Sequence, residues 1–299
     1  MISKILGNYL ISKGKLTSEQ LDDVLEEITK VRVKLGLIAV AEGMITQEQA
    51  DKINRLQAVM DKRFGDIAVI KGYLTEKQVD ELLRLQGNPY LAFAQALENL
   101  NLMKITELDD MMREYQAENE FTNSSMEDLK SDDVDRVLPL FLPPDAAEYL
   151  DMAGVVLRTM MRCVDNNVMP MKAYFDKQYL ADNGAMQLVE GEKPVTCAFA
   201  GNGQALLPTA SCFGHEEFEK VDEDALDAVA ELINCINGLY ASDMSQQRIE
   251  MELCPPEFSA SISGFYSEKM LILPIEVYGE TVQVLSPYTS IGSISIFSL

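Results

Sequence analysis

Apolar residues recur at helical spacing through the first third of the chain and alternate with polar ones through most of the last, so two architectures follow one another. Ile5–Ile28, Lys34–Gln57 and Arg63–Gln86 are three copies of one pattern, and a worn fourth runs from about Phe93 to Gln116. Each copy predicts a short helix, a turn at Gly14, Gly43 or Gly72, and a longer helix. Thr17, Thr46 and Thr75 stand at the N-cap of the longer helices. Gln20, Gln49 and Gln78, three residues on, complete capping boxes. A unit this small cannot bury its apolar face alone, so the copies should pack into a helical array over residues 1–117.

Residues 118–143 are acidic and polar with little periodicity, which predicts a flexible linker ending in the extended run Leu138–Pro144. The rest, 144–299, reads as α+β, with helices packed on an antiparallel sheet. Asp145–Val164 predicts a helix. Strands are expected around Met171–Gln178, Ala185–Val189, Val195–Gly201, Ser259–Phe265, Lys269–Tyr278 and Thr281–Ser286. Gly201-Asn202-Gly203 predicts a hairpin turn rather than a phosphate cradle. Methionines between Met152 and Met171 read as core filler.

The chain has 299 residues and a formal charge of −23, against which a nucleic-acid backbone or an anionic membrane surface would be repelled. No apolar run reaches the ~18 residues needed to span a bilayer, and the first residues do not follow a signal-peptide pattern, so a cytoplasmic protein is expected. Cys163, Cys197, Cys212, Cys235 and Cys254 show no C-x-x-C pairing and should be reduced thiols. With His215, in a polar turn, as the single histidine, neither a histidine-based metal site nor a catalytic triad is expected, and no metal site or cofactor is expected in the chain.

Chemistry concentrates on one helix, predicted from Val221 to Tyr240 with Asp222 or Asp224 as N-cap and Gly238 near its end. At about 100° per residue, Asp227, Glu231 and Asn234 fall within roughly 60° of one another. Val229, Leu232, Ile233, Ile236 and Leu239 are assigned to the opposite arc, facing the core. A carboxylate and a carboxamide are thus left side by side on the outer face.

The spacing of Asp227, Glu231 and Asn234, followed by Pro256, resembles the active-site signature of the CheC/CheX/FliY family of chemotaxis phosphatases, which dephosphorylate phospho-aspartyl receivers such as CheY. Ala225–Ala241 is similar to the family's phosphatase helix, and Met251–Ser259 to the strand segment that carries its proline. The resemblance implies that Asn234 positions the attacking water and that Glu231 pairs with a receiver cation. Asp227 and Pro256 are implied as supporting residues, and magnesium as belonging to the receiver. The other expected helix carries Glu148 and Asp151 at the same spacing but lacks the amide, which implies one site, as in CheX. Homodimerisation of the second domain is implied only by the resemblance.

The N-terminal copies resemble the MshEN domain of type II secretion and pilus ATPases, some of which bind cyclic di-GMP. Lys34, Leu35, Gly36, Gly43, Ile45 and Gln57 match one half of that motif, with lysine for arginine. Arg63, Phe64, Gly65, Gly72, Leu74 and Gln86 match the other, with phenylalanine for leucine. We read the copies as an interaction module, with nucleotide binding as the alternative, because losing an arginine removes a planar fork for phosphate or guanine. The expected function is a phosphatase acting on a phosphorylated CheY-type receiver. The alternative is a non-catalytic receiver-binding adaptor or cyclic di-GMP sensor.

Overall fold

The computed structural model describes the whole chain apart from residues 31–32, 61, 288–296 and 299, and for residues 58–60, 263 and 297–298 the backbone alone. It divides into two compact units, Ile2–Asp133 and Val134 onward.

The first unit is all helical: α1 (Ile2–Ser12), α2 (Ser18–Ile28), α3 (Leu35–Ala41), α4 (Gln47–Met60), α5 (Phe64–Ile70), α6 (Glu76–Arg84), α7 (Pro89–Asn99), α8 (Ile105–Glu118) and α9 (Asn123–Ser131). The repeated pattern sets the turns. Gly14, Gly43 and Gly72 have φ of 66°, 64° and 69°, and Asn101 holds the same place in the fourth copy at 55°. After each, one amide reaches back to close the preceding helix: Lys15 to the Leu10 carbonyl, Met44 to Ala39, Tyr73 to Ala68 and Leu102 to Leu97, at 2.8–2.9 Å. These are Schellman-type ends, in which the left-handed residue lets the chain reverse. The predicted capping boxes form at Thr17–Gln20, Thr46–Gln49 and Thr75–Gln78.

The two helices of a copy meet through small residues. A Cβ on Gly7 of α1 would lie 2.2 Å from Leu21 Cδ1 of α2, and one on Gly65 of α5 would lie 2.8 Å from Val79 Cγ1 of α6. Ile2, Leu6, Leu10, Ile38, Ile53 and Phe93 are among the fully buried side chains that fill the space between helices.

The expected linker is largely helical. Thr122 caps α9 by accepting from the Ser125 amide at 3.1 Å, and Met126 and Leu129 on the next turn are buried. A cap and one i, i+3 apolar pair suffice for a short packed helix, and the surrounding acidic residues hide this in the sequence. Beyond the division, α10 (Val134–Val137) lies where flexible linker was expected and a 3-10 turn (Leu138–Leu140) where an extended run was, and Val137 and Leu138 are buried.

The second unit is α+β. Its strands are β1 (Met169–Pro170), β2 (Tyr174–Ala181), β3 (Asn183–Gly191), β4 (Val195–Gly201), β5 (Met251–Leu253), β6 (Glu257–Ser259), β7 (Ser263–Val277), β8 (Glu280–Pro287) and β9 (Phe297–Ser298). They form one antiparallel sheet in the order β1-β7-β8-β4-β3-β5, with β2 and β9 also on β7 and β6 also on β3. Strands β3 and β4 pair from Asn183↔Gly201 to Val189↔Val195. Three helices accompany the sheet: α11 (Leu150–Cys163), α12 (Leu207–Gly214) and α13 (Glu223–Gln246).

Three expectations are corrected. Strand β4 leads from Gly201 into α12 rather than into a hairpin. The Asn202–Gly203 turn is clamped by Asp182, whose amide donates to Asn202 Oδ1 at 3.1 Å and whose Oδ2 accepts from the Gly203 amide at 2.7 Å. Helix α11 begins at Leu150, and Glu148 lies in a preceding 3-10 turn (Ala147–Tyr149), so Glu148 and Asp151 do not share an α-helical face. Ala146 and Tyr149, three apart, are drawn together onto Leu271 of the sheet, which the tighter winding allows. The methionines divide: Met152 and Met160 are core, while Met171 is exposed.

Candidate active site

Helix α13 begins where expected. Asp222 is the N-cap, and its carboxylate accepts from the Ala225 amide at 3.3 Å. It does not stop near Gly238 but continues to Gln246, because Tyr240 and Met244 extend the buried stripe of Val229, Leu232, Ile233 and Ile236. Leu239 departs from its predicted place, being 41% exposed. At 100° per residue it lies about 80° from Glu231, nearer the outer face than the core.

On that outer face Asp227 and Glu231 are exposed and Asn234 is half-buried. Cys235, one turn beyond Glu231, is exposed. Burial first, and then the charges of Glu231 and Cys163, raise its thiol above the usual cysteine range. The exposed carboxylate of Glu231 is therefore the acidic group nearest the amide along the helix.

Asn234 is held from beneath. Gln187 projects from the middle of β3, 1% exposed, on the strand face shared with Ala185 and Val189. Its Nε2 donates at 2.8 Å to Asn234 Oδ1 and at 2.8 Å to the carbonyl of Cys254, two residues before Pro256. Its Oε1 accepts from Asn237 Nδ2 at 2.9 Å. Asn237 is wholly buried, and its own Oδ1 has no hydrogen-bond partner among the described residues.

One donor group thus ties the outer amide of α13 to the segment carrying Pro256, where β5 and β6 lie against α13. Cys254 is fixed again by its amide, which donates to the Leu188 carbonyl at 3.0 Å. Pro256 is half-buried between β5 and β6, without a chemical group to offer. Neither Gln187 nor Asn237 stood out in the sequence. The one available signal for Gln187 was a polar residue inside the apolar run A-M-Q-L-V of a central strand.

The residues matched to the N-terminal motif are partly gathered. Leu35, Arg63, Phe64, Gly65 and Gln86 line a cavity of about 650 Å³ together with Asp66, Glu76 and Asp80. Lys34, Gly36, Gly43 and Gly72 are not among its lining residues. Lys34 and Arg63 occupy N-cap positions of α3 and α5 without side-chain capping bonds.

Gly36 and Gly65 serve helix packing. A Cβ on Gly36 would lie 2.8 Å from the Phe64 ring, and one on Gly65 would lie 3.5 Å from Leu35 Cδ2 as well as against Val79. Gln86 spends its amide on the Val33 carbonyl at 2.9 Å, and Gln57 donates to the Lys62 carbonyl at 3.3 Å, each closing the start of a neighbouring copy. With three carboxylates and one guanidinium among its lining residues, the cavity is poorly matched to a dianionic ligand.

No family model and no curated protein matches the chain. Among solved structures, a chemotaxis protein CheX from Desulfovibrio desulfuricans is 12% identical and covers 49% of this chain and 98% of its own length, with a TM-score of 0.41. A CheC-like superfamily protein from Shewanella sp. PV-4 is 17% identical over 46% of this chain and 93% of its own, with a TM-score of 0.40. A chain of the CheX–CheY–BeF3–Mg2+ complex from Borrelia burgdorferi is 16% identical over 49% of this chain and 95% of its own, with a TM-score of 0.34. Among the described residues, no helix is long and apolar enough to cross a membrane.

Proposed function

We propose that the second unit hydrolyses the aspartyl phosphate of a CheY-type receiver in chemotaxis or two-component signalling. One observation carries the reading. An exposed carboxylate, Glu231, and a carboxamide with one oxygen lone pair already engaged, Asn234, sit a turn apart on the outer face of α13 beside the Pro256 segment. This is the chemistry that the Glu–Asn–Pro signature requires.

An aspartyl phosphate is hydrolysed by water attacking phosphorus in line with the bond that breaks. With Asn234 Oδ1 turned toward Gln187, Nδ2 is the atom left to face a partner. It can donate to one lone pair of the water, leaving the other directed at phosphorus and adding no negative charge beside the phosphoryl group. Glu231 would meet a receiver cation such as a lysine, aligning the two proteins before reaction. The phosphoryl group and its magnesium ion are brought by the receiver as substrate. In this reading Asp227 carries no chemical role, and the first unit is an interaction module.

The test is decay of a phosphorylated CheY-type receiver with and without the full chain, beside Asn234→Ala. The expected result is acceleration by wild type and a fall in kcat on the order of 100-fold in the variant, with receiver binding retained. Binding without acceleration by wild type would leave the receiver-binding adaptor as the function.

A further inference from the structure

We propose that Gln187 is a positioning residue that sets which atom of Asn234 faces the substrate; this rests on the receiver-phosphatase reading. The argument is one of hydrogen-bond parity. The Cys254 carbonyl can only accept, so the Gln187 atom 2.8 Å from it must be the nitrogen. The second hydrogen of that nitrogen points at Asn234, 2.8 Å away, so the Asn234 atom facing inward must be the oxygen. The NH2 group of Asn234 is thereby directed outward.

Asn237 locks the chain from its other end. The Gln187 oxygen accepts from Asn237 Nδ2 at 2.9 Å, so a flipped Gln187 would set oxygen against the Cys254 carbonyl and nitrogen against nitrogen at once. Both residues are buried, Gln187 at 1% and Asn237 at 0% exposure, so water cannot supply the missing partners.

The arrangement has a consequence for rate. A surface asparagine samples two amide orientations and several rotamers, and only some of these place a donor toward the reacting water. Gln187 removes the others before the receiver arrives. It touches neither receiver nor water in this scheme, and its effect passes wholly through Asn234.

The experiment compares wild type, Asn234→Ala, Gln187→Met and the double variant in the receiver-decay assay, after each has been shown to unfold cooperatively. Expected for Gln187→Met is a kcat about 10–100-fold lower with KM within about twofold of wild type, and no further loss when it is added to Asn234→Ala. Loss in KM alone, wild-type kcat, or additive losses in the double variant would overturn the assignment while leaving the phosphatase reading standing. Failure of that reading shows differently, as equal rates for wild type and Asn234→Ala.

A measurement that needs neither activity nor a buried substitution tests whether the Asn234 amide is held at all. It is the 15N heteronuclear NOE of the Asn234 side-chain amide in wild-type protein, assigned by its absence in Asn234→Ala. A value near that of the α13 backbone supports the assignment, and one typical of a freely rotating surface amide overturns it.

Discussion

Replacing Gly7 by alanine tests the packing that defines the repeats. On helical propensity alone the change should stabilise the protein by about 1 kcal/mol, since Gly7 lies inside α1. Packing says the opposite. The new methyl would sit 2.2 Å from Leu21 Cδ1, 2.8 Å from Cδ2 and 3.0 Å from Cγ, whereas carbon atoms in favourable contact are about 3.5–4.0 Å apart. Leu21 is buried and cannot swing into solvent. Overpacking of this kind costs about 1–3 kcal/mol, and three close contacts place it near the top of that range, about 3 kcal/mol.

The net expectation for Gly7→Ala is destabilisation of about 2 kcal/mol. Urea unfolding followed at 222 nm should register it as a midpoint lower by about 1 M for a slope near 2 kcal/mol per M. Leu21→Ala alone should cost about 2–5 kcal/mol. In the double variant the added methyl enters space that Leu21 has vacated, so the pair should be about 3 kcal/mol more stable than the sum of the single changes. A Gly7→Ala protein more stable than wild type, or strictly additive losses, would refute the view that these glycines exist for helix contact.

Three further outcomes are expected. Asn101→Ala should destabilise by about 1 kcal/mol, measured in the same urea experiment, because φ of 55° places a Cβ in the left-handed region, whereas Asn101→Gly should not. Burial pushes the Cys197 thiol up to about 12, so iodoacetamide at pH 8 should label exposed Cys163 and Cys235 in the native protein and Cys197 only after unfolding, as read by peptide mass mapping. The hydrogen bond from Lys269 at 3.0 Å holds the Asp145 carboxyl below its usual range. A lowered folded-state pKa gives stabilisation that is present above the unfolded value and lost as pH falls through the folded one. NMR titration of Lys269→Met should therefore move the Asp145 midpoint upward.

The helical unit was legible because each copy repeats its own stop and start signals, glycine then threonine then glutamine, and such local chemistry survives without tertiary context. Asn101 was missed as the fourth turn residue because asparagine enters the left-handed region without announcing it. The start of α13 was equally local, offered by Asp222 or Asp224, and the structure uses Asp222. Its end was not: Gly238 looks like a terminus, but an added Cβ there would meet nothing, and the packing of Tyr240 and Met244 carries the helix past it.

Glu231 and Asn234 could be found by spacing along one helix. Gln187 could not, because its three partners lie 47, 50 and 67 residues away, and only the fold brings them together. Helix α9 was lost for a related reason. Two buried side chains among acidic neighbours give too short a period to read.

The pairing of β7 bears on how the chain is made. Glu280–Pro287 follows β7 directly, but Tyr174 of β2 must wait for Ile272, and Ala198 of β4 for Leu285. Synthesis proceeds at about 5–20 residues per second, so β2 and the edge of β4 turned away from β3 stay unpaired for about 5–20 s after they are made, while β3 and β4 can pair with each other at once. The helical repeats close between neighbours in sequence and can fold on far shorter timescales. One half of the protein should therefore be native on the ribosome while the other still exposes unpaired strand edges, among them Tyr174 and Leu180, which remain exposed even when folding is complete. Misfolding during expression is expected to begin in the sheet, and slowing translation before β7 should make it worse.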